Sequence, residues 1–560
     1  MIHSFIESLP YEQRVLSEML DRCFENNESS VFYVSIDEKN REVTYAEMKE
    51  KVDIVASNLL DLGIKKGTNV AVLMASSTDY ISVWFALAKI GAIEVPINTV
   101  YKGETLQYLI NDSDARYIVV DEEYYAELNK ISAGLEKIQY VISHGQNDYS
   151  YETSWNIVGW ERVTKYSEVR IRHLFNEINN NPVYPHDPVG IIYTSGTTGP
   201  SKGVLLSNHH LVFMGLTHAG IMHYKEDDIS LNFLPYYHTA AKFVTMACML
   251  SGAKMILKKK FSITSFWNDV HEHQVTLLSS LGGVLPMLYN QKEKEDDVKN
   301  SIRAVYVIPS PKDNYYEIQN RFGLKLVVAY GGTEWNIVSS TELDEDKPGS
   351  AGRHFEQYYD LKIVDEHDFE CSQYEQGEII VRPKIPHIVM LEYYNKPEKT
   401  VEAWRGLWFR TGDRAYKDKD GYIYFVDRLK DAIRRRGENI SSFEIESVVD
   451  KHPQVIESAV IPVPADVGED EIKACIILKK GADVSHQEIF NYCYENMGYF
   501  MVPRYIEFFD DFPRTPTGKT RKNILREQGK RGMTRLTWDR EKDGGIKVTS
   551  KGIDAIKETQ

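Results

Sequence analysis

The residues with the densest chemistry are Tyr193-Thr194-Ser195-Gly196-Thr197-Thr198-Gly199-Pro200-Ser201-Lys202-Gly203, directly after the apolar run Val189-Gly190-Ile191-Ile192. Its glycines expose backbone N–H groups, its Ser and Thr hydroxyls add side-chain donors, and Lys202 adds a point charge, which together are the donor set a polyphosphate needs. The spacing is not that of a Walker A loop. That motif places Gly immediately before the Lys and Ser or Thr immediately after it, whereas Ser201 and Gly203 flank Lys202 here. On composition alone the segment reads either as a phosphate cradle or as a flexible surface turn.

Further segments follow in a set order: LPYYH at 234–238, YGGTE at 330–334, RTGD at 410–413, DRLKDAIRRRGENISSFEIE at 427–446 and PRTPTGKTRK at 513–522. With these the chain resembles the acyl-activating, adenylate-forming superfamily of acyl-CoA synthetases, luciferases and peptide-synthetase adenylation domains, over residues 20–528. The resemblance implies that Thr194, Ser195, Gly196, Thr197, Thr198 and Lys202 hold the β- and γ-phosphates of ATP. Thr333 and Glu334 stand at the α-phosphate, and Glu334 with Thr194 at Mg²⁺. A hard cation on carboxylate oxygen suits charge building on phosphorus. Tyr330 and Gly331 match the adenine shelf, Asp413 the carboxylate that accepts the ribose hydroxyls, and Arg428 a partner on the sugar or phosphate. Lys519 matches the lysine that reaches in from a mobile domain to stabilise attack on the α-phosphorus.

For a second half-reaction with coenzyme A, the resemblance makes Lys430 the hinge and Gly437 the glycine that lines the thiol tunnel. Arg434, Arg435 and Arg436 form a positive cluster that reads equally as a contact for a CoA phosphate or as a solvated face. Asp427 departs from the common family glycine before Arg428. His238 matches a gate beside the acyl site, and Tyr237, Phe243, Leu281, Gly282, Gly283, Trp335 and Ile337 are candidate walls. Trp335 is expected to shorten that pocket and to offer a π-face to a planar acid or a quaternary ammonium. Thr239, Ala240 and Lys242 stand where amino-acid-activating relatives carry an Asp, which disfavours an amino-acid substrate. The segments FVDRLKDAIRRRGENIS and VWFALAKIGAIEVPIN are similar to the carnitine/crotonobetaine-CoA ligase branch.

These residues must be positioned by regular elements. Thr44, three residues before Glu47, predicts a capped helix ending near Gly63; NVAVLM, TDYISVWFALAKIG and AIEVPI then alternate as strand, helix and strand. The alternation continues to RAVYVI at 303–308, which predicts mostly parallel sheets with helices on both faces. From about 351 short strands dominate. The expected fold is therefore α/β: a large N-terminal body of several subdomains over 1–427, with layered parallel sheets and a β-rich part at 351–427. A hinge at 428–430 leads to a small mobile α+β domain over 431–528, and a charged extension at 529–560 follows.

Composition sets bounds on partners. The chain has 560 residues with 66 basic and 82 acidic side chains, a formal charge of −16 that repels nucleic acid and anionic membrane. No apolar run reaches the 18 or so residues of a span, and the five cysteines are scattered and odd in number, as in a reduced, cytoplasmic protein. The first residues lack the basic-then-apolar order of a secretory signal. The reading is an ATP-dependent, AMP-forming acid-thiol ligase with Mg²⁺, ATP and CoA, acting on a small or medium, polar or betaine-like carboxylic acid. A carrier-protein-loading enzyme and an inactive nucleotide-sensing scaffold are the alternatives. A homo-oligomer is compatible with this reading, and residues 529–560 read as a tether, a partner contact or ordered packing.

Overall fold

A computed structural model of the chain describes residues 7, 9–27, 29–145, 155–194, 200–281, 284–308, 310–311, 314–428, 432–435, 438–465, 469–513, 520, 522–529, 531–549 and 552–555, and the elements counted below are theirs. The capped helix forms as Tyr45–Asp61: Thr44 Oγ1 accepts from Glu47 N at 3.2 Å while Glu47 Oε2 accepts from Thr44 N at 2.9 Å. Two N–H groups that a helix start leaves open are thereby satisfied. Val52, Val55 and Leu59 turn inward along this helix and are buried.

An eight-stranded sheet runs Glu392–Tyr393, Lys202–Ser207, Pro188–Thr194, Ile93–Pro96, Asn69–Leu73, Tyr117–Asp121, Tyr140–His144, Asn156–Gly159. From Pro188–Thr194 to Asn156–Gly159 every pairing is parallel. Its central strands Asn69–Leu73 and Tyr117–Asp121 are buried along their whole length, as parallel strands covered by helices on both faces must be. A nine-stranded sheet carries Ile229–Asn232, Leu277–Leu281, Ala304–Ile308 and Lys325–Gly332 in parallel, and closes with the antiparallel strands Asn336–Ser340 and Arg353–His354. Helices Asn208–Ile221 and Thr239–Ser251 pack against one another, the first buried at every residue.

The β-rich part is a four-stranded antiparallel sheet of Tyr359–Val364, Gly377–Pro383, Phe409–Lys417 and Ile423–Arg428. Asp413 of RTGD lies inside Phe409–Lys417, where Gly412 at φ 71° breaks the strand's regularity. Beyond it a hairpin, Ala432–Arg435 with Glu438–Ser441, leads into helix Ser442–Val449. A second four-stranded sheet of Val455–Pro464, Asp470–Leu478, Tyr505–Phe509 and Trp538–Asp539 follows, over its own apolar cluster that includes Ile433, Phe490 and Ile506. The α/β class with a large body and a separate α+β C-terminal domain is thus as read from the sequence. The extension after 528 is packed structure: Trp538–Asp539 is the last strand of that sheet, and Ile546–Thr549 pairs with Gly552–Ala555. Among the described residues no helix is long and apolar enough to cross a membrane.

Candidate active site

Strand ends from both large sheets, the β-rich sheet and the C-terminal hairpin converge on a cavity of about 750 Å³. Thr194 is the last residue of Pro188–Thr194, and Lys202 opens the returning strand directly opposite it in register. This pair closes the base of the loop. Ser195, Gly196, Thr197 and Thr198, assigned to ATP, lie outside the described residues.

Glu334 sits in the turn between Lys325–Gly332 and Asn336–Ser340. Its Oε1 accepts from Thr194 Oγ1 at 3.2 Å and from the Tyr393 hydroxyl at 3.1 Å, while the Lys202 ammonium stands 4.4 Å from the Tyr393 ring centre. Tyr393 therefore ties Lys202 to the carboxylate. The sequence offered no mark that separates it from the other tyrosines, since its place follows only from strand Glu392–Tyr393 pairing with Lys202–Ser207. Thr333 is buried in the same turn. A Cβ on Gly331 would lie 2.7 Å from the carbonyl oxygen of Asn336, so glycine here is demanded by the hairpin's own backbone.

Carboxylate and hydroxyl oxygens are the donors a hard divalent cation prefers. Among the described residues no group of three or more His, Cys, Asp or Glu could cage a metal. Thr194 Oγ1 and Glu334 Oε1, 3.2 Å apart, are oxygens of that kind, and a Mg²⁺ held by them would take its remaining ligands from substrate phosphate and water, as that ion commonly does.

Gly331 and Gly412 line the cavity, and their neighbours Tyr330 and Asp413 are joined behind them, the Tyr330 hydroxyl donating to Asp413 Oδ2 at 2.7 Å. Arg428 pairs with Asp413 across the strands. Trp335, expected as an acyl-pocket wall, does line the cavity. Its ring neighbours, however, are Tyr330 (stacked, 5.9 Å) and Phe409 (5.4 Å). Its ring thus stands beside Tyr330 as well as on the cavity wall.

Opposite, Tyr237, His238 and Phe243 line the cavity with Met214, Tyr306, Ile308 and Ile337, an apolar and aromatic wall. His238 caps helix Thr239–Ser251, its Nδ1 accepting from Ala240 N at 3.1 Å, so Nε2 carries the hydrogen. Burial, reinforced by nearby Arg434, pushes the imidazole down to about 4 and keeps it neutral. Behind Phe243 and Tyr306 stands His218, 4.5 Å and 4.8 Å away between ring centres and lowered by burial to about 3. Lys242 is buried against Glu94, with Nζ 2.7 Å from Oε2.

The C-terminal domain completes the wall. Glu438 and Arg434 line the cavity; the Tyr237 hydroxyl donates to Glu438 Oε1 at 2.9 Å, and Arg434 Nη2 donates to the Ile308 carbonyl at 3.0 Å. Ser201, in the loop's return, gives its N–H to Glu444 Oε1 at 3.1 Å and its hydroxyl to the same oxygen. Burial raises the carboxyls of Glu438 and Glu444 above the ordinary range, against the donors that face them. The solvated-face reading of the arginine cluster does not describe Arg435, whereas Arg434 lines the cavity. Arg435 is 1% exposed and bonded to the carbonyls of Phe500 and Val502 and to Glu471. Gly282, Gly283, Lys430, Arg436, Gly437 and Lys519 lie outside the described residues, as does the side chain of Arg428.

Comparison with known proteins agrees with this arrangement. Residues 20–394 match the family model described as AMP-binding enzyme, and residues 444–519 match that of the AMP-binding enzyme C-terminal domain. A crotonobetaine/carnitine–CoA ligase of Citrobacter koseri is 30% identical over 520 residues, covering 91% of this chain and 98% of that protein. Its counterpart in Proteus mirabilis is 30% identical over 523 residues, covering 91% and 97%. Among solved structures, a fatty acyl CoA synthetase of Mycobacterium tuberculosis superposes with a TM-score of 0.65 at 26% identity, covering 93% of this chain and 99% of that one. An o-succinylbenzoate CoA synthetase variant of Bacillus subtilis shares the fold, with a TM-score of 0.75 at 22% identity over 91% and 98% of the two chains.

Proposed function

Because the chain belongs to the AMP-binding enzyme family, as an ATP-dependent, AMP-forming acyl-CoA ligase, we propose that it activates a small or medium carboxylic acid, of polar or betaine-like character, to an acyl-adenylate and passes the acyl group to CoA. The observation that carries this reading is the Thr194, Glu334, Tyr393 and Lys202 constellation at the base of the phosphate loop, facing the wall of His238, Phe243 and Tyr306 across one cavity.

In the first half-reaction an oxygen of the acid attacks the α-phosphorus of ATP and the bond to pyrophosphate breaks. Lys202 and the loop donors hold the departing phosphates. Glu334, oriented by Thr194 and Tyr393, would hold the cation, which when bound offsets phosphate charge. Tyr330, braced by Asp413 and Trp335, supports the base. Lys519 brings its ammonium to the reacting oxygens, a charge needed only as the transition state forms. In the second half-reaction the CoA thiol, as thiolate, attacks the carbonyl and AMP leaves with its bonding pair. Rotation about Lys430 exchanges Lys519 for the hairpin that carries Gly437. The contacts of Glu438 with Tyr237 and of Glu444 with Ser201 support this pose as the thiol-accepting one.

The acyl wall supports the substrate class. Aromatic faces on Phe243 and Tyr306 suit a quaternary ammonium, and the curated relatives named above are ligases of crotonobetaine and carnitine. The test is ATP–pyrophosphate exchange across a panel of carnitine, crotonobetaine, short fatty and aromatic acids, followed by mass detection of the CoA thioester. Exchange with the betaine acids and a CoA thioester are expected. Exchange with no carboxylate would overturn the activity, and transfer to a phosphopantetheine carrier but not to CoA would overturn the acceptor. Lys519→Ala should abolish exchange yet leave thioester formation from supplied acyl-adenylate measurable; equal loss of both would sink this division of roles.

A further inference from the structure

The extension after residue 528 carries a fully buried cation, Arg540, that reaches the backbone of a distant segment and also stands 3.7 Å from Glu541 Oε1 within the extension. Arg540 is 0% exposed, and its Nη1 donates to the carbonyls of Val502 and Pro503, both at 3.1 Å. Arg435, on the hairpin that reaches the cavity, donates through its own Nη1 to Phe500 and to the same Val502 carbonyl, at 2.9 and 3.0 Å. Two guanidinium groups thus grip residues 500–503 from opposite ends of the domain's sequence. Planar, permanently charged forks with fixed donor directions hold carbonyls in place better than a lysine would.

Both ends of this clamp touch the site. Across the hairpin Arg435 is paired with Glu438, which receives the Tyr237 hydroxyl in the cavity. The gripped segment lays Phe500 against Tyr101, 6.2 Å between ring centres, and Tyr101 lines the cavity. At Gly498 a Cβ would stand 3.1 Å from the Val100 carbonyl oxygen, so the segment meets the N-terminal body closely. The extension is itself anchored: Arg504 forms a two-point pair with Asp539 at 3.1 Å, and His486 stacks between Phe508 and Trp538.

We propose that the extension is a brace for acceptor delivery, with Arg540 as a positioning residue that sets hairpin 432–441 and segment 498–504 against the cavity through Arg435. The proposal rests on the ligase reading for its kinetic consequence but not for its structural one. Arg540→Met is expected to slow thioester formation from supplied acyl-adenylate by about tenfold or more while pyrophosphate exchange stays within about twofold, since ångström-scale misplacement is enough for such a loss. Arg540→Lys, which keeps charge but not the fork, should fall between the two. Hydrogen exchange of the full-length protein supplies a readout independent of activity. Amides of 432–441 and 498–504 should lose protection in Arg540→Met while Val455–Pro464 and Asp470–Leu478 keep theirs. Loss of protection throughout the C-terminal domain with equal loss of both half-reactions, or no change in either, would overturn the brace. If the wild-type protein forms no thioester at all, the ligase reading fails, and the exchange pattern still decides the clamp.

Discussion

At the scale of single residues, the site depends on a carboxylate held by two hydroxyls. Glu334→Gln should lower pyrophosphate exchange by about a hundredfold or more, the order seen when one preorganised charge stabiliser is lost. Tyr393 does two things that substitutions separate. Tyr393→Phe removes the bond to Glu334 but leaves a ring under Lys202, and should cost about tenfold in exchange rate, as expected for a hydrogen bond to a charged group. Tyr393→Ala should cost more. Equal effects would show that only the ring matters. His238, already neutral at physiological pH, should give no limb near the ordinary histidine value in the pH–rate profile. The motif residues were legible because each demands a particular side-chain chemistry: Thr194, Glu334 and Lys202 meet where the motif order implies. Tyr393 was not legible, because its partnership arises from strand pairing across almost two hundred residues.

Among elements, helix Thr239–Ser251 is fixed to the sheet beneath the acyl wall by an ion pair cut off from water. Lys242 and Glu94 are 1% and 2% exposed; the Tyr80 hydroxyl also donates to Glu94, and Trp84 lies 4.4 Å from the ammonium. Removing one member of such a pair leaves a buried charge, so Lys242→Met should destabilise by about 3–5 kcal/mol, whereas Lys242→Met with Glu94→Gln should recover much of that loss. Thermal unfolding of the three proteins checks this, and additive losses would refute it. The elements themselves were the most legible part. Strands such as Asn69–Leu73 and helices such as Thr78–Lys89 fall where apolar period and caps put them, because those signals are local. Trp335 lines the cavity as expected, but its stacking on Tyr330 was not legible, because ring partners depend on backbone angles that residue type does not announce. The burial of Arg435 was not legible because an arginine's exposure depends on carbonyls that arrive from distant segments.

For the molecule as a whole, the two parts dock through buried carboxyls. Glu438 and Glu444 have their proton affinity raised by burial in this pose. Groups with raised values bind more protons docked than undocked, so docking is favoured at low pH and weakens as pH climbs through and above the carboxylate range. A fluorescence distance between the parts should therefore lengthen on going from about pH 5 to about pH 8, and Glu438→Gln with Glu444→Gln should flatten the curve. The exposed Lys451–Glu104 pair adds little to this balance. The docked arrangement was beyond sequence reading, since no local signal states which surfaces of two domains meet. One pairing in the nine-stranded sheet also sets how late during synthesis that sheet can close. Strand Val31–Ser35 pairs in parallel with Lys254–Leu257. On a ribosome adding roughly 5–20 residues per second, the early strand waits roughly 10–45 s for its neighbour. During that interval its unpaired edge is a point of capture for holding chaperones, and slow codons between the two strands would prolong the exposure.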